Sequence, residues 1–220
     1  KANAKIDPLA NIWTGPWRDP RFSPPADGGR PENALTGTIF TVNCCLDGVS
    51  LNVPQEYSRL RFWRNTSVAT LLPGQAAILP AGVLGYEFDE ALDNGFSPGG
   101  LIKLSKTVIN LGGALYLLDY GNDYGAGIAT HSLTLYRHSS GAKVFGAGTV
   151  RWSWGLDNKH DVDFSFPIAS NMAPDVRMKQ ATVNLFADMG VQPQSLEAGL
   201  VASSQSTDTT PPTSTITSPL

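Results

Sequence analysis

The sequence has few charged residues and no long hydrophobic run. Charged residues make up 16% of the 220 residues, and the formal net charge is −3. Because no basic excess is present, we expect no nucleic-acid partner. The 41% of hydrophobic residues excludes a chain that is disordered throughout. No apolar run approaches the roughly 20 residues that a membrane helix needs, so we expect no membrane span.

Several common catalytic motifs are also missing. The sequence has no G-x-S-x-G nucleophile elbow, no Walker A motif and no G-x-G-x-x-G after a predicted strand. Three histidines and two cysteines exclude a zinc cluster with the usual four Cys and His ligands. Cys44 and Cys45 are adjacent, and neighbouring residues of a strand point to opposite faces. We therefore expect two half-buried thiols rather than a disulfide, with a reactive thiol as the alternative.

Glycine and proline are plentiful, with 22 and 16 residues, which predicts many turns. Residues 31–37 begin with proline and end with glycine, which predicts a single helical turn. β-branched and aromatic residues predict strands at residues 38–45, 60–63, 82–88, 101–109 and 115–120.

The second half of the chain carries the clearest local patterns. Residues 130–137 and 143–156 flank a Ser-Ser-Gly turn, which predicts a hairpin. Residues 174–189 predict a helix with an apolar stripe of Val176, Val183, Phe186 and Met189, which Ala181 and Leu185 widen. Trp152 and Trp154 share one face of the predicted second strand of the hairpin, and their burial beneath that helix competes with an exposed sugar-stacking surface.

Four polar residues are candidates for a functional site. Arg30 and Asn33 are candidate substrate-binding residues, and Glu32 between them is a candidate acid or base, because a guanidinium keeps a nearby carboxylate ionised and oriented. The alternative is a structural loop in which these side chains cap backbone groups. His131 is a candidate general base, and its alternative is a buried, hydrogen-bonded histidine.

A second acidic pattern lies in residues 85–90. Glu87 and Asp89 share one face of a predicted strand, and paired carboxylates can hold a cation or act as acid and base. The alternative is a solvated strand end. The spacing fits no fixed metal-binding loop, and the residues leave the metal unknown.

Several sequence blocks in this order resemble one family. The blocks are ANAKIDP, GGRPENALTGTIFTVN, LRFWRNT, GVLGYEFDE, THSLTLYRHSSGAKVFGAGTVRWSWGLD and PDVRMKQATVNLFADMG. Together they resemble the C-terminal domain of the N,N-dimethylformamidase large (beta) subunit family. The similar proteins include large bacterial proteins in which this domain precedes immunoglobulin-like repeats.

The resemblance implies a fold class. It implies an α/β chain that forms the C-terminal part of a class I glutamine amidotransferase-like, flavodoxin-like domain with a β-rich insertion. We expect residues 1–195 to form this partial domain, whose upstream half precedes Lys1. Residues 196–220 are rich in Ser, Thr and Pro, which predicts a linker toward an immunoglobulin-like repeat.

The resemblance also implies a function. We expect a fragment of a metal-dependent hydrolase that cleaves the C–N bond of a small non-peptide amide. In the parent protein the resemblance implies an iron held by tyrosine and carboxylate side chains, with its ligands upstream of this fragment. We expect an extracellular or cell-surface location, the upstream half of the same domain and downstream immunoglobulin-like domains as partners. The alternative is a non-catalytic binding or adhesion module that retains the enzyme fold.

Overall fold

The described part of the chain is dominated by short strands. The structure is a computed structural model that describes residues 17–21, 29–161 and 165–208, with residues 210, 213, 215 and 217. The strands are β1 (Ile39–Val42), β2 (Asn52–Pro54), β3 (Ala76–Ile78), β4 (Phe88–Glu90), β5 (Ile102–Lys103), β6 (Thr107–Leu118), β7 (Asp123–His131), β8 (Thr134–Arg137) and β9 (Lys143–Gly146). The α-helices are α1 (Asn33–Thr36), α2 (Pro167–Ser170) and α3 (Val176–Asp188).

The strands form one sheet of four strands, in the order β4-β1-β6-β7, and two smaller sheets, β2-β3 and β5-β8-β9. The long hairpin of β6 and β7 pairs Thr107 with His131 at one end and Leu118 with Asp123 at the other. A bulge interrupts this pairing before Tyr116, which also pairs with Val42 of β1. Tyr116 therefore lies where three strands meet.

The four-stranded sheet curls into a half-barrel. Its two edge strands, β4 and β7, come close enough for Glu90 of β4 to accept a hydrogen bond from the Thr130 backbone N–H of β7 at 2.5 Å. Glu90 is only 3% exposed. A side chain thus satisfies a backbone donor at the sheet edge, where a further strand would otherwise supply the acceptor.

The α/β, flavodoxin-like fold implied by the resemblance, as the C-terminal part of a class I glutamine amidotransferase-like domain, is wrong. Every pairing between the described strands is antiparallel. A parallel sheet needs crossover connections of a dozen or more residues, usually helical. Among the described helices only α3 has that length, and it follows the last described strand. The described part of the chain is therefore β-rich, because antiparallel strands need no helical crossover between them.

The local patterns predicted some elements and missed others. The helical turn over residues 31–37 is confirmed as α1, and Gly37 ends it with the positive φ of 80° that favours glycine. The hairpin is confirmed as β8 and β9. Residues 60–63 and 152–154 are not strands, since Arg61–Trp63 and Trp152–Gly155 are 3₁₀ turns.

The hydrophobic core lies between the sheets and α3. Trp63 is fully buried, and its indole N–H donates to the Leu104 carbonyl at 2.9 Å. Phe62 stacks on Phe145 with ring centroids 5.3 Å apart and also lies near Trp152. Aromatic side chains from a 3₁₀ turn therefore hold the β8–β9 hairpin against the rest of the fold.

The predicted C-terminal helix is confirmed as α3, and its predicted apolar stripe is confirmed only in part, since Ala181 and Leu185 are buried. Asp175 caps the helix by accepting from the Arg177 backbone N–H at 2.7 Å. Val176 and Phe186 are 56% and 48% exposed, whereas Gln180 and Asn184 are buried. Polar residues occupy the buried face because a further segment of chain lies on it.

That segment is the chain that follows α3. Gln180 accepts from the Val201 backbone N–H at 2.7 Å and donates to the Val201 carbonyl at 2.9 Å. The Ser203 hydroxyl donates to Asn184 at 2.5 Å. These bonds attach the first part of the predicted linker to α3. The division into residues 1–195 and 196–220 stays a prediction.

Cys44 and Cys45 form a vicinal disulfide directly after β1. Both residues have positive φ angles, 71° and 74°. The prediction of two separate thiols is wrong because the strand ends at Val42. Beyond that point the backbone no longer alternates side chains between two faces, and the argument against a disulfide depended on that alternation.

Candidate functional site

A cavity of about 460 Å³ opens beside the half-barrel. It is lined by residues from β1, from β6, from the loop after β4 and from the turn after β6. These residues are Arg18, Pro20, Pro31, Ile39, Thr41, Leu92, Asn94, Phe96, Tyr116, Leu117, Tyr120 and Gly121. Such a volume and such a largely apolar lining with a few polar groups are typical of small-molecule sites.

Thr41 supplies the most informative polar group of the cavity. The residue is 4% exposed, and its hydroxyl has no hydrogen-bond partner among the described residues. An unpaired buried hydroxyl costs free energy, about 1–3 kcal/mol. A ligand that accepts a hydrogen bond inside the cavity would remove that cost.

Arg18 brings the charge to this cavity. The segment that carries it is fixed by Asp19, which is fully buried and accepts from Asn122 at 2.8 Å and from Arg21 at 2.6 Å. The guanidinium of Arg18 pairs with Glu32, whose carboxylate does not cap α1. Burial lowers the Arg18 pKa, and the nearby charge of Asp89 opposes that change.

Asn33 stabilises the lining of the cavity through its contact with Asn94. It is fully buried, and its side-chain amide donates to Asn94 at 2.8 Å while accepting from Asn94 at 3.1 Å. Asn94 itself lines the cavity. Asn33 thus positions a wall residue across 61 positions of sequence. Its predicted role in binding substrate stays a prediction.

The half-buried Tyr116 and the buried Glu90 form a pair at the cavity. The phenol donates to the Glu90 carboxylate at 2.8 Å. Burial, together with this hydrogen bond and the charge of Glu90, raises the pKa of Tyr116 to about 12. A Cβ at Gly127 would lie 2.7 Å from the Tyr116 ring, so the absence of a side chain there lets the ring lie over β7.

The predicted site residues differ in whether they contact the side chains that line the cavity. Glu32 and Asn33 contact side chains that line the cavity, Arg18 and Asn94 respectively. Arg30 is exposed, and its backbone N–H donates to the Trp17 carbonyl at 2.7 Å. The predicted catalytic role of Glu32 and the predicted binding role of Arg30 stay predictions.

His131 lies in the interior, away from the lining of this cavity. It is fully buried, with Nε2 3.0 Å from the Ala147 carbonyl and its ring edge-on to Phe88. Burial lowers the pKa of His131 to about 4, so the ring is neutral at pH 7. This environment matches the alternative of a buried, hydrogen-bonded histidine. Its catalytic role stays a prediction.

The paired carboxylates Glu87 and Asp89 line a second, smaller cavity of about 230 Å³. The Thr38 hydroxyl donates to Asp89 at 2.7 Å. Burial raises the pKa of Asp89, and the Thr38 hydrogen bond and the charge of Arg18 oppose that rise. The pair shares a cavity, as a shared strand face predicts.

The resemblance implies an iron that tyrosine and carboxylate side chains of the parent protein hold. Within residues 17–21, 29–161 and 165–208, no three His, Cys, Asp or Glu side chains lie close enough together to hold a metal ion. The iron, with ligands upstream, stays a prediction about the parent protein.

The tryptophans differ in exposure. Trp17 is 75% exposed, whereas Trp152 and Trp154 are half-buried and pack against the core. Trp154 also stacks on His160, with ring centroids 4.4 Å apart. Trp13 lies outside the described residues. The expected burial of Trp152 and Trp154 is thus confirmed in part. Both residues lie in a 3₁₀ turn, whereas a strand was predicted.

Sequence reasoning missed most of the cavity's polar groups. Arg18, Thr41, Asn94 and Tyr116 carry no spacing that sets them apart from other residues of their types. A weak signal exists for Asn94, which begins an Asn-Gly turn, and for Glu90, which belongs to the acidic run of residues 85–90. Their meeting depends on long-range pairing of β1 with β4 and β6.

The curled antiparallel sheet and the adjoining cavity define a β-rich domain with one cavity beside its main sheet. The chain belongs to the family of N,N-dimethylformamidase beta subunit-like C-terminal domains, because the model of that family matches residues 1–163. The match covers every described strand and ends before α2 and α3. No curated protein and no solved structure was found to match the chain. Among the described helices, none combines the length and the hydrophobicity needed to cross a bilayer.

Proposed function

We propose that this domain supplies the pocket in which a dimethylformamidase-like hydrolase binds a small, uncharged amide. The single observation that carries the proposal is Thr41, a residue that lines the largely apolar cavity and whose buried hydroxyl has no hydrogen-bond partner among the described residues. Family membership supports the amide class but does not by itself transfer chemistry.

The chemistry of the cavity suits an alkyl-substituted amide. Such an amide presents a carbonyl oxygen as hydrogen-bond acceptor, and a fully substituted one presents no N–H donor. The Thr41 hydroxyl can donate to that oxygen. Ile39, Leu92 and Phe96 offer apolar surface to the alkyl groups. One polar contact and an apolar wall are enough to orient a ligand of this size.

The proposal includes the setting of the domain. We place it in a secreted or surface-attached multidomain bacterial protein, with an iron and the rest of the catalytic machinery in the upstream half and immunoglobulin-like repeats downstream. Two observations support this setting. Residues 206–219 have the Ser, Thr and Pro composition of a linker, and the disulfide of Cys44 and Cys45 is the kind of bond that persists in oxidising compartments.

The test is amide hydrolysis by the intact parent protein with Thr41→Val. We expect kcat/KM for N,N-dimethylformamide to fall about 3- to 10-fold, the effect of one lost hydrogen bond. Release of dimethylamine measures the rate. Thr134→Val is the matched control, because Thr134 is also a buried threonine whose hydroxyl has no partner among the described residues, yet it does not line the cavity.

Equal kcat/KM for the wild type, Thr41→Val and Thr134→Val would contradict the proposed pocket. Absence of amide hydrolysis in the intact, metal-loaded wild-type protein would contradict the hydrolase itself. Equal losses in both variants would also count against the pocket, since they would reflect a general effect of removing buried hydroxyls.

One observation favours the alternative, a binding or adhesion module. Trp17 is three-quarters exposed, and exposed indole rings stack on sugars. If this function holds, a soluble glycan will protect Trp17 from a fluorescence quencher, and Trp17→Phe will remove the protection. Unchanged quenching in the presence of glycans would reject it.

A further inference from the structure

Arg18 is the one charged side chain among the described residues that line the cavity. Its side chain is only 14% exposed. A guanidinium in such a place ordinarily binds a carboxylate through two parallel hydrogen bonds. Taken alone, Arg18 predicts a cavity for anions, which conflicts with an uncharged amide as ligand.

The structure resolves this conflict, because the Arg18 guanidinium already binds other groups of the protein. Glu32 forms an ion pair with Arg18. Arg18 Nη1 also donates to the Phe40 carbonyl at 2.5 Å. Asp89 adds a second acidic group close enough to affect Arg18. The positive charge of Arg18 is thus balanced before any ligand enters.

We propose that Glu32 determines the specificity of this cavity by occupying Arg18, so that uncharged amides bind and carboxylates are excluded. The inference rests on the proposed function, since it concerns the same pocket. In this specificity role Glu32 acts through Arg18 and does not need to contact the reacting atoms.

The assignment has a consequence for product release. Hydrolysis adds water across the amide C–N bond and yields a carboxylic acid and an amine. Transfer of one proton from the acid to the amine leaves a carboxylate and an ammonium ion. With Arg18 occupied, the described residues that line the cavity offer this carboxylate no free cationic partner, so the anion leaves and does not compete with the next amide.

The test compares acetamide and acetate binding to the full chain by isothermal titration. Wild-type protein is expected to bind acetamide and to bind acetate at least tenfold more weakly. Glu32→Gln keeps the shape of the side chain and removes its charge. We expect it to gain about tenfold or more in acetate affinity, the effect of a charge-assisted hydrogen bond, with acetamide affinity changed less than twofold.

The double variant Arg18→Gln, Glu32→Gln is the control, because it removes the cation that the first change exposes. It is expected to lose the gain in acetate affinity. A competition experiment on the unmodified protein keeps the inference testable if a variant does not fold: acetate at the same concentration as acetamide must leave acetamide binding nearly unchanged.

The outcomes separate this inference from the proposed function. If acetamide binds but acetate competes equally well in the wild type, or Glu32→Gln gains no acetate affinity, the specificity role of Glu32 is overturned and the amide pocket stands. If acetamide does not bind but Glu32→Gln gains acetate binding, the role of Glu32 is supported and the amide function is overturned. Binding of neither ligand to any form overturns both.

Discussion

Glu90 on β4 accepts a hydrogen bond from the backbone N–H of Thr130 on β7, and so joins the two edge strands of the four-stranded sheet. Its second carboxylate oxygen accepts from Tyr116 at 2.8 Å. One buried carboxylate thus fixes the curvature of the sheet and the position of a cavity residue. The half-barrel and the pocket depend on the same side chain.

Glu90→Ala is expected to destabilise the protein by about 3 kcal/mol, because it leaves the Thr130 N–H and the Tyr116 hydroxyl without their acceptor. Glu90→Gln should lose less, about 1–2 kcal/mol, since the amide oxygen can still accept one of the two bonds. Urea unfolding at pH 7 measures both. The variant Glu56→Gln, at an exposed residue, is the control. If Glu90→Ala loses no more stability than Glu56→Gln, the closure of the sheet by Glu90 is contradicted.

The sequence predicted the parts of this fold that depend on neighbouring residues. The α1 turn follows from a proline start and a glycine exit, and α3 from apolar residues that recur at helical spacing. The β8–β9 hairpin follows from a glycine turn. The curvature of the sheet could not be predicted, since it depends on a contact between Glu90 and Thr130 across 40 positions. The α/β expectation came from the family resemblance alone, and no run of alternating strands and helices supports it.

His131 predicts a dependence of stability on pH. Its folded-state pKa of about 4 lies below the value of 6.5 for a free histidine. The unfolded chain therefore binds a proton between pH 6.5 and 4 that the folded protein does not, so stability is highest above pH 6.5 and falls as the pH falls through this window. The expected loss from this residue is about 3 kcal/mol.

His131→Gln isolates this effect. The variant is expected to be less stable than the wild type at pH 7, because the packing against Phe88 changes. Its loss of stability between pH 7 and pH 4 should be about 3 kcal/mol smaller than that of the wild type. Denaturant unfolding at several pH values measures the difference, with exposed His138→Gln as the control. Parallel pH profiles for the wild type and His131→Gln would show that His131 is protonated while folded.

The vicinal disulfide predicts the thiol content of the chain. Cys44 and Cys45 are the only cysteines, so unfolded but unreduced protein should show no free thiol with a thiol reagent. After reduction two thiols should appear. Cys44→Ser provides the reference, with one thiol before and after reduction. Two thiols in the unreduced wild type would contradict the disulfide.

Gln180 predicts protection of the segment after α3. Its side chain bonds both backbone groups of Val201, and Gln180→Ala removes both bonds. We expect the variant to lose about 1–3 kcal/mol of stability and the Val201 amide to exchange with deuterium at least tenfold faster. The exposed Gln194→Ala is the control. An unchanged exchange rate at Val201 would show that this segment is not attached to α3.

The buried amides of α3 also explain why its buried face was predicted only in part. An apolar stripe of Val176, Val183, Phe186 and Met189, widened by Ala181 and Leu185, assumes that a helix buries only apolar residues. Gln180 and Asn184 are buried because the chain that covers them presents backbone groups, which amide side chains satisfy. The candidate site was also predicted only in part. A dense polar segment marked Glu32 and Asn33, but their partners Arg18 and Asn94 are distant in sequence.

The most direct test of the amide pocket is the dissociation constant of N,N-dimethylacetamide for the full chain, measured by isothermal titration for the wild type, Thr41→Val and Thr134→Val. The account predicts saturable binding to the wild type and to Thr134→Val with equal affinity, and binding about 3- to 10-fold weaker to Thr41→Val. Thr41→Val should unfold no more easily than the wild type, since it removes an unpaired buried hydroxyl. Equal affinity in all three proteins, or no binding to the wild type, would contradict the account.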